Sequence, residues 1–440
     1  MKRFDLQRIA LGLAAPLLAL IVALLLSSVA LVLSGNSPIK TFESMIDYGV
    51  DPGTMVQTIN RSVTYYLSAL AVAIGFRMNL FNIGVDGQYR IAAFFAAVVG
   101  GWLVLPGPVL MVVVVLVAVA VGAIWAGIAA ILKATRGVSE VISTIMLNVI
   151  GAGIVAYLLD PSRLGTLIGS QQVSTEPMPS DAYLPGIPVA GGEIFGFIVV
   201  AVACGIGYWV LLGRTRFGFD LRATGLSETA AVASGVSVKT MVVRTMLLSG
   251  GVAGLVGMPL LLGESHAYAS DFPAGYGFSG IAIALLGRNH PIGIAIGALL
   301  WSFLEQSSQI LDLEGVPKEI VTIMQGVTVL SVVIAYEVVR RFSLAQQQRR
   351  VGIELGTAAP VPAGVAAATG GTDRSPAGVA AATGGTDRSP AGSTPGTAPG
   401  STPDGTAGRH TSGTATSDGV HGRHAADPDD PSRDGGEDPA

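Results

Sequence analysis

The sequence predicts an all-α polytopic membrane protein of about ten transmembrane segments, some of them broken or half helices, with a disordered C-terminal tail. Three observations carry this. Apolar runs of bilayer-spanning length recur through the first 350 of 440 residues, about 20 residues each being enough to cross. Lys and Arg gather on alternate connections between those runs. The composition then changes abruptly near Gly352. Two regions follow: a transmembrane domain over residues 1–351 and a tail over residues 352–440.

The clear runs are Ile9–Leu33, Pro108–Leu132, Val141–Leu159, Ile194–Leu212, Thr245–Leu262 and Ile320–Tyr336. The first is too long for the h-region of a cleaved leader, and no small-x-small site closes it. Four shorter runs are Val63–Phe76, Ile91–Leu105, Phe278–Leu286 and Pro291–Phe303. Ten crossings with a cytoplasmic N-terminus put 17 basic residues on cytoplasmic segments, Arg77 and Arg90 among them. Only Lys40, Arg61, Arg163 and Lys318 then face outward. Such an excess sets orientation, and it places the tail in the cytoplasm too.

The tail is Gly, Ala, Thr, Ser, Pro and Asp, with almost no large apolar side chains. It cannot bury enough surface to offset its ordering entropy. PAGVAAATGGTDRS occurs twice in succession, at Pro362–Ser375 and Pro376–Ser389, without the apolar face a stacked repeat needs. The one cysteine, Cys204, lies in an apolar run and reads as a packing residue.

Catalytic patterns are missing. There is no G-x-x-x-x-G-K-[ST] loop, no H-E-x-x-H and no G-x-S-x-G. Three of the five histidines fall in the tail. Glu140 and Glu305 sit at or near run ends, where charges are usually interfacial, so acids suited to proton coupling are scarce. Energy for any transport must come from another subunit. Neither a metal nor a nucleic-acid partner is called for.

Two places look broken. RMNLFNIGVDGQYR separates the 14-residue run Val63–Phe76, too short to cross alone, from the run at Ile91. It is either irregular backbone inside the protein, of the kind that marks a substrate site, or a cytoplasmic loop with a glycine turn. Arg288, Asn289, His290 and Pro291 interrupt a second pair of runs. Paired interruptions in two halves point to a transporter with internal pseudo-symmetry. The longest internal cytoplasmic connection, Arg214–Thr240, contains GLSETAAVASG. That reads as one short helix, capped by Ser227, with Glu228 in its first turn and Gly235 at its end. It suits a docking knob for a soluble partner, or a solvated loop helix.

Together, FNIGVDGQ, TIMLN (Thr144–Asn148), LRATGLSETAAVASGVS and GIAIALLGRNHPIGI resemble the permease subunits of bacterial ABC importers. The nearest group is the branched-chain amino acid and simple-sugar permease superfamily, and within it the nucleoside permeases. The resemblance covers roughly Leu6 to Phe342. It implies a transport subunit, not an enzyme, in the bacterial plasma membrane. ATP would be bound by partner ATP-binding subunits. A second permease subunit and an extracytoplasmic substrate-binding lipoprotein would complete the importer of a small-molecule substrate. It implies a substrate path at Asn82, Gly84, Asp86, Gly87, Gln88 and Asn148. It implies ATPase docking through Arg222, Gly225, Leu226, Glu228, Ala231 and Gly235. Asp86 stands where Glu is common, which keeps the charge. A ribose-like sugar or branched-chain amino acid permease is the alternative within the class. Outside it stand a lone facilitator, which would tolerate deletion of Leu226–Gly235, and a scaffold working through its tail.

Overall fold

The structure, a computed structural model, describes residues 6–168, 172–313, 315–317 and 319–357. Lys318, the tail repeats and the three tail histidines lie outside the described residues. The chain opens with α1 (Leu6–Leu33), which turns by 113° into α2 (Pro38–Gly49). Next come α3 (Pro52–Phe76), α4 (Val85–Trp102), α5 (Gly107–Arg136) and α6 (Glu140–Leu158). Two antiparallel hairpins follow, β1 (Thr166–Ile168) with β2 (Gln172–Ser174) and β3 (Gly186–Val189) with β4 (Gly192–Phe195). The rest is helical: α7 (Phe197–Arg214), α8 (Arg216–Leu226), α9 (Glu228–Ala233), α10 (Val238–Gly254) and the short α11 (Met258–Leu260). After a π-helical turn at Leu261–Ser265 come α12 (Tyr276–Leu286), α13 (Pro291–Ser307), α14 (Gln309–Leu313) and α15 (Glu319–Thr357).

Five stretches among the described residues are long and apolar enough to cross a membrane, or six if the bent α1–α2 pair is one span. They are α5, α6, α7, α15 and the stretch from α10 through the π turn. Their outer faces carry exposed Val112, Leu116, Ile124, Ile142, Val149 and Val199, which suits hydrocarbon. The chain is therefore a multi-pass helical membrane protein. The other expected crossings fall on helices of a different kind. α3 is buried over most of its length. A helix surrounded by protein needs small side chains for close approach and can carry polar ones that find partners. Hydropathy accordingly understates α3, α4, α12 and α13.

This corrects several expectations. Val63–Phe76 is not a short helix but the second half of the 25-residue α3. Asp51 accepts from the Gly53 amide at 3.0 Å and Pro52 opens the helix, so the polar Gln57, Asn60, Arg61 and Thr64 lie on it. Arg61 is therefore in the bundle and not in an outer loop. α4 likewise starts at Val85, before the apolar run, and carries Asp86, Gly87 and Gln88 in its first turn. Arg90, counted above with cytoplasmic charges, lies on α4 and lines a cleft with Tyr268 and Ser270. The hairpins were not expected, and Ile194 belongs to β4 instead of α7. RFGFDLRATGL folds as α8, an added helix before the expected α9.

The main core draws on α3, α4, α5, α7, α10 and α12, with Leu67, Phe94, Met246 and Ile283 fully enclosed. A smaller cluster of Leu31, Met45, Leu311, Ile320 and Met324 joins α1, α2, α14 and α15. α5 and α10 pack backbone to backbone where Gly122 faces Gly250 and Gly254, the small-residue contact common between membrane helices.

Candidate functional site

The chain between α3 and α4 does not stay at the end of the bundle. α3 stops through an Asn79 in the left-handed region (φ 60°), and the Leu80 amide returns to the Gly75 carbonyl at 3.0 Å. Asn tolerates that conformation better than most residues. Leu80–Gly84 then runs back alongside α3. Ser249 Oγ fixes the depth: it accepts from Asn82 Nδ2 at 2.8 Å and donates to the Ala71 carbonyl at 2.6 Å. Irregular backbone is thus held inside protein, as the first of the two sequence readings requires.

The polar side chains of this segment find partners within the protein. Asn82 and Gln88 exchange amide hydrogen bonds, Nδ2 to Oε1 at 3.0 Å and Nε2 to Oδ1 at 2.9 Å. The Gly84 amide also donates to Asn82 Oδ1. Asn148 of α6 accepts from the Gly87 amide at 2.9 Å and donates to the Ile83 carbonyl at 2.9 Å. Gly87 and Gly84 have no space for a side chain: a Cβ would lie 2.7 Å from Asn148 Cα and from Gln88 Nε2 respectively. Asp86 reaches across to α12, where its Oδ1 accepts from the amides of Gly275 at 2.8 Å and Gly277 at 3.4 Å. It caps the N-terminus of a second helix while sitting in the first turn of its own, and the positive ends of both dipoles favour the carboxylate. The six expected residues are therefore brought together, but as a buried knot and not as an open lining: Asn82 and Gln88 are each 1% exposed.

The knot yields an ordering. Gln88→Ala leaves Asn82 its contacts with Ser249 and Gly84. Asn82→Ala removes the shared partner of Gln88, Gly84 and Ser249. Buried groups left unmatched cost about 1–3 kcal/mol each. Thermal unfolding of the purified chain should show the larger loss for Asn82→Ala; equal losses would contradict the network.

The second break lies against the first. α12 ends through Arg288 and Asn289, both at positive φ (54° and 53°). Arg77 Nη2, just past α3, donates to the Asn289 carbonyl at 2.7 Å, and Tyr208 of α7 donates to the same oxygen at 2.7 Å. The two interruptions are thus clamped together. Glu140 braces the first from another side. It pairs with Lys133 at 2.6 Å and accepts from the Phe81 amide at 3.5 Å.

α8 and α9 meet this same end. Ser227 caps α9, its Oγ accepting from the Ala230 amide at 3.3 Å, and Gly235 ends it at φ 83°. Gly225 rests on the turn after α3: a Cβ there would lie 2.8 Å from the Arg77 carbonyl oxygen and 2.9 Å from Met78 Cα. Leu226 is 89% exposed and Val232 is 60% exposed; Glu228 and Gly235 are exposed beside them and Arg222 is half-buried. Ala231, expected to face a partner, is buried and holds α9 down. Val232 was missed, although its place three residues after the exposed Thr229 puts it on the exposed side of α9.

A second polar cluster lies toward the opposite end. Arg61 donates to the Tyr276 hydroxyl at 2.5 Å, and the Tyr65 hydroxyl donates to Glu305. Sequence reasoning passed over these four residues because Arg61 read as an outer-loop charge and Glu305 as a charge near a run end. Among the described residues no group of His, Cys, Asp and Glu could hold a metal ion.

A helical bundle with two clamped helix breaks, and an exposed knob resting on one of them, is the framework of a membrane permease. Comparison with known proteins agrees. The chain belongs to the family described as branched-chain amino acid transport system / permease component, whose pattern matches residues 54–333. It is 32% identical over 339 residues to the guanosine ABC transporter permease protein NupP of Bacillus subtilis, covering 76% of this chain and 96% of that one. It is 31% identical over 372 residues to the glucose ABC transporter permease protein TsgB13 of Haloferax volcanii, covering 82% and 94%. The nucleoside ABC transporter permease protein NupB of Lactococcus lactis is 28% identical over 334 residues, covering 73% and 90%. No solved structure matches the chain. The protein is an ABC-transporter permease of this family.

Proposed function

We propose that the chain is the transmembrane subunit of an ATP-driven importer of nucleosides in the bacterial plasma membrane. The tail and N-terminus face the cytoplasm in this reading, as the partition of basic residues favours. Partner ATPases bind and hydrolyse ATP, a second permease completes the transmembrane part, and an extracytoplasmic lipoprotein delivers the substrate. Leu226, Glu228 and Val232 form the docking surface, with Arg222 and Gly235 at its edges and Ala231 and Gly225 anchoring it from within. The knot of Asn82, Gly84, Asp86, Gly87, Gln88 and Asn148 is a moving part of the path wall. The contact of Gly225 with the Arg77–Met78 backbone carries this reading. It joins the docking knob to the first helix break by direct packing, and through the Arg77–Asn289 hydrogen bond to the second, so a shift of the knob displaces both.

Nucleosides are proposed because two of the relatives above carry that substrate in their names. A sugar substrate is the second reading, favoured by the likeness to the glucose permease. Uptake of labelled nucleoside by cells with and without the gene, in competition with glucose, ribose and leucine, tests the choice. Loss of nucleoside uptake on deletion, competed by nucleosides alone, is expected. Unchanged nucleoside uptake with sugar or leucine import lost would overturn it.

A further inference from the structure

Arg61, Tyr65, Tyr276 and Glu305 lie between two clefts that the account above leaves without a task. The larger, of about 450 Å³, is bounded by α3, α12, α13, α14 and α15 and includes Tyr65, Ser279, Trp301, Glu305 and Gln325. The smaller, of about 190 Å³, includes Asn60, Arg61, Glu264 and Gln306. Gln309 borders both. Charged side chains carried on buried bundle helices are expensive and mark functional places. Here they are joined into one unit. Arg61 holds the Tyr276 hydroxyl, Tyr65 holds Glu305, and the two tyrosine rings meet edge to face at 5.3 Å. Trp301 stands 6.4 Å from Tyr65.

We propose that these clefts, with the Arg61–Tyr276 and Tyr65–Glu305 pairs between them, form a substrate-contacting site for a neutral, hydroxyl-rich compound bearing a planar ring. The proposal rests on the nucleoside reading and says where and how that class is recognised. The half-buried Trp301, backed by Tyr65, offers a ring face that stacks on any base, since every base has a π-face. Gln306, Gln309 and Gln325 offer paired donors and acceptors to base edges, and carboxylates accept from sugar hydroxyls. Glu305 and Glu319 line the larger cleft, and Glu264 and Arg61 the smaller, three acids to one base. That excess of negative charge repels phosphate and carboxylate, so nucleotides are refused. The volume of the larger cleft falls within the range usual for small-molecule sites.

The site is also wired to the knot. Tyr276 is the first residue of α12, Ser68 Oγ donates to its carbonyl at 2.7 Å, and Asp86 caps the same helix end. A ligand that takes the hydroxyl of Tyr276 from Arg61 therefore loosens the end of α12 whose other end is clamped to Arg77.

The test uses the complete importer in proteoliposomes, with the native thiol removed by Cys204→Ala and a probe introduced by Ser279→Cys. A hydrophilic methanethiosulfonate reagent reports access to the cleft. Adenosine should slow modification about tenfold, the size of effect one base stack supplies, while adenosine monophosphate should not. Trp301→Ala should cut adenosine import by a similar factor and Trp301→Phe should keep most of it. Adenosine import without any protection, or with Trp301→Ala unaffected, overturns the site. Ribose import and ribose protection, with adenosine ignored, would keep the cleft as the contact site and sink the nucleoside class. Protection by adenosine monophosphate as strong as by adenosine would overturn the charge argument.

Discussion

Replacing Asp86 with alanine is expected to abolish import and to destabilise the chain by about 2–3 kcal/mol, since hydrogen bonds to a charged group contribute about 1.5–3 kcal/mol. The carboxylate is only 7% exposed and accepts from the amides of Gly275 and Gly277. Those amides open α12 and have no other acceptor of their own turn, as the first amides of any helix do not. Without Asp86, the start of α12 is left unmatched inside the bundle, and the tie between α4 and α12 is gone. Asn in its place keeps one acceptor oxygen but loses the charge that both helix dipoles favour. Import by Asp86→Asn should therefore be partial, and its unfolding temperature should lie between those of the native chain and Asp86→Ala. Equal behaviour of the two variants would show that the charge alone matters and would contradict a contribution from the retained acceptor oxygen.

Gly225→Ala is expected to reduce import at least about tenfold with the chain still inserted and folded. A single added carbon meets the Arg77 carbonyl oxygen and Met78 Cα. Both are backbone atoms and cannot swing aside as a side-chain tip would. Overpacking of this kind costs about 1–3 kcal/mol, and here relief comes by lifting α8 off the turn after α3. The docking knob then moves without carrying the helix breaks. Gly213→Ala on α7 is the control, because a Cβ there meets nothing; it should import normally. Normal import by Gly225→Ala would remove the packing contact from the mechanism.

How much of this the sequence carried depended on where each residue faces. α5, α6 and α7 present leucine, isoleucine and valine to the outside, so their apolar runs nearly coincide with the helices. α3 faces protein on most sides, and its Gln57, Asn60 and Arg61 were read as loop because hydropathy measures contact with lipid. The same logic hid Arg61 and Glu305: one was taken for an outer-loop charge and the other for a run-end charge, when both are matched within the bundle. α9 was legible because capping is local. Ser227 and Gly235 act within a few residues of themselves, and both do in the structure what their chemistry predicts. The partner of Gly225 was not legible, since Arg77 and Met78 are far away in the chain. The knot was legible in composition only. Two amides, a carboxylate and two glycines together signalled a special backbone, but their reciprocal bonds needed coordinates.

The central claim is that movement of the docking segment reaches the substrate path through the clamp between the two helix breaks. Its most direct measurement is the number of ATP molecules hydrolysed per substrate imported, in assembled importers carrying Arg77→Ala. That variant removes the charged one of the two donors to the Asn289 carbonyl, leaving Tyr208, and leaves the docking surface intact. The account predicts continued hydrolysis with import reduced about tenfold or more, the factor that loss of one charged hydrogen bond supplies, so the ratio rises by the same amount. A ratio equal to that of the native importer would contradict it.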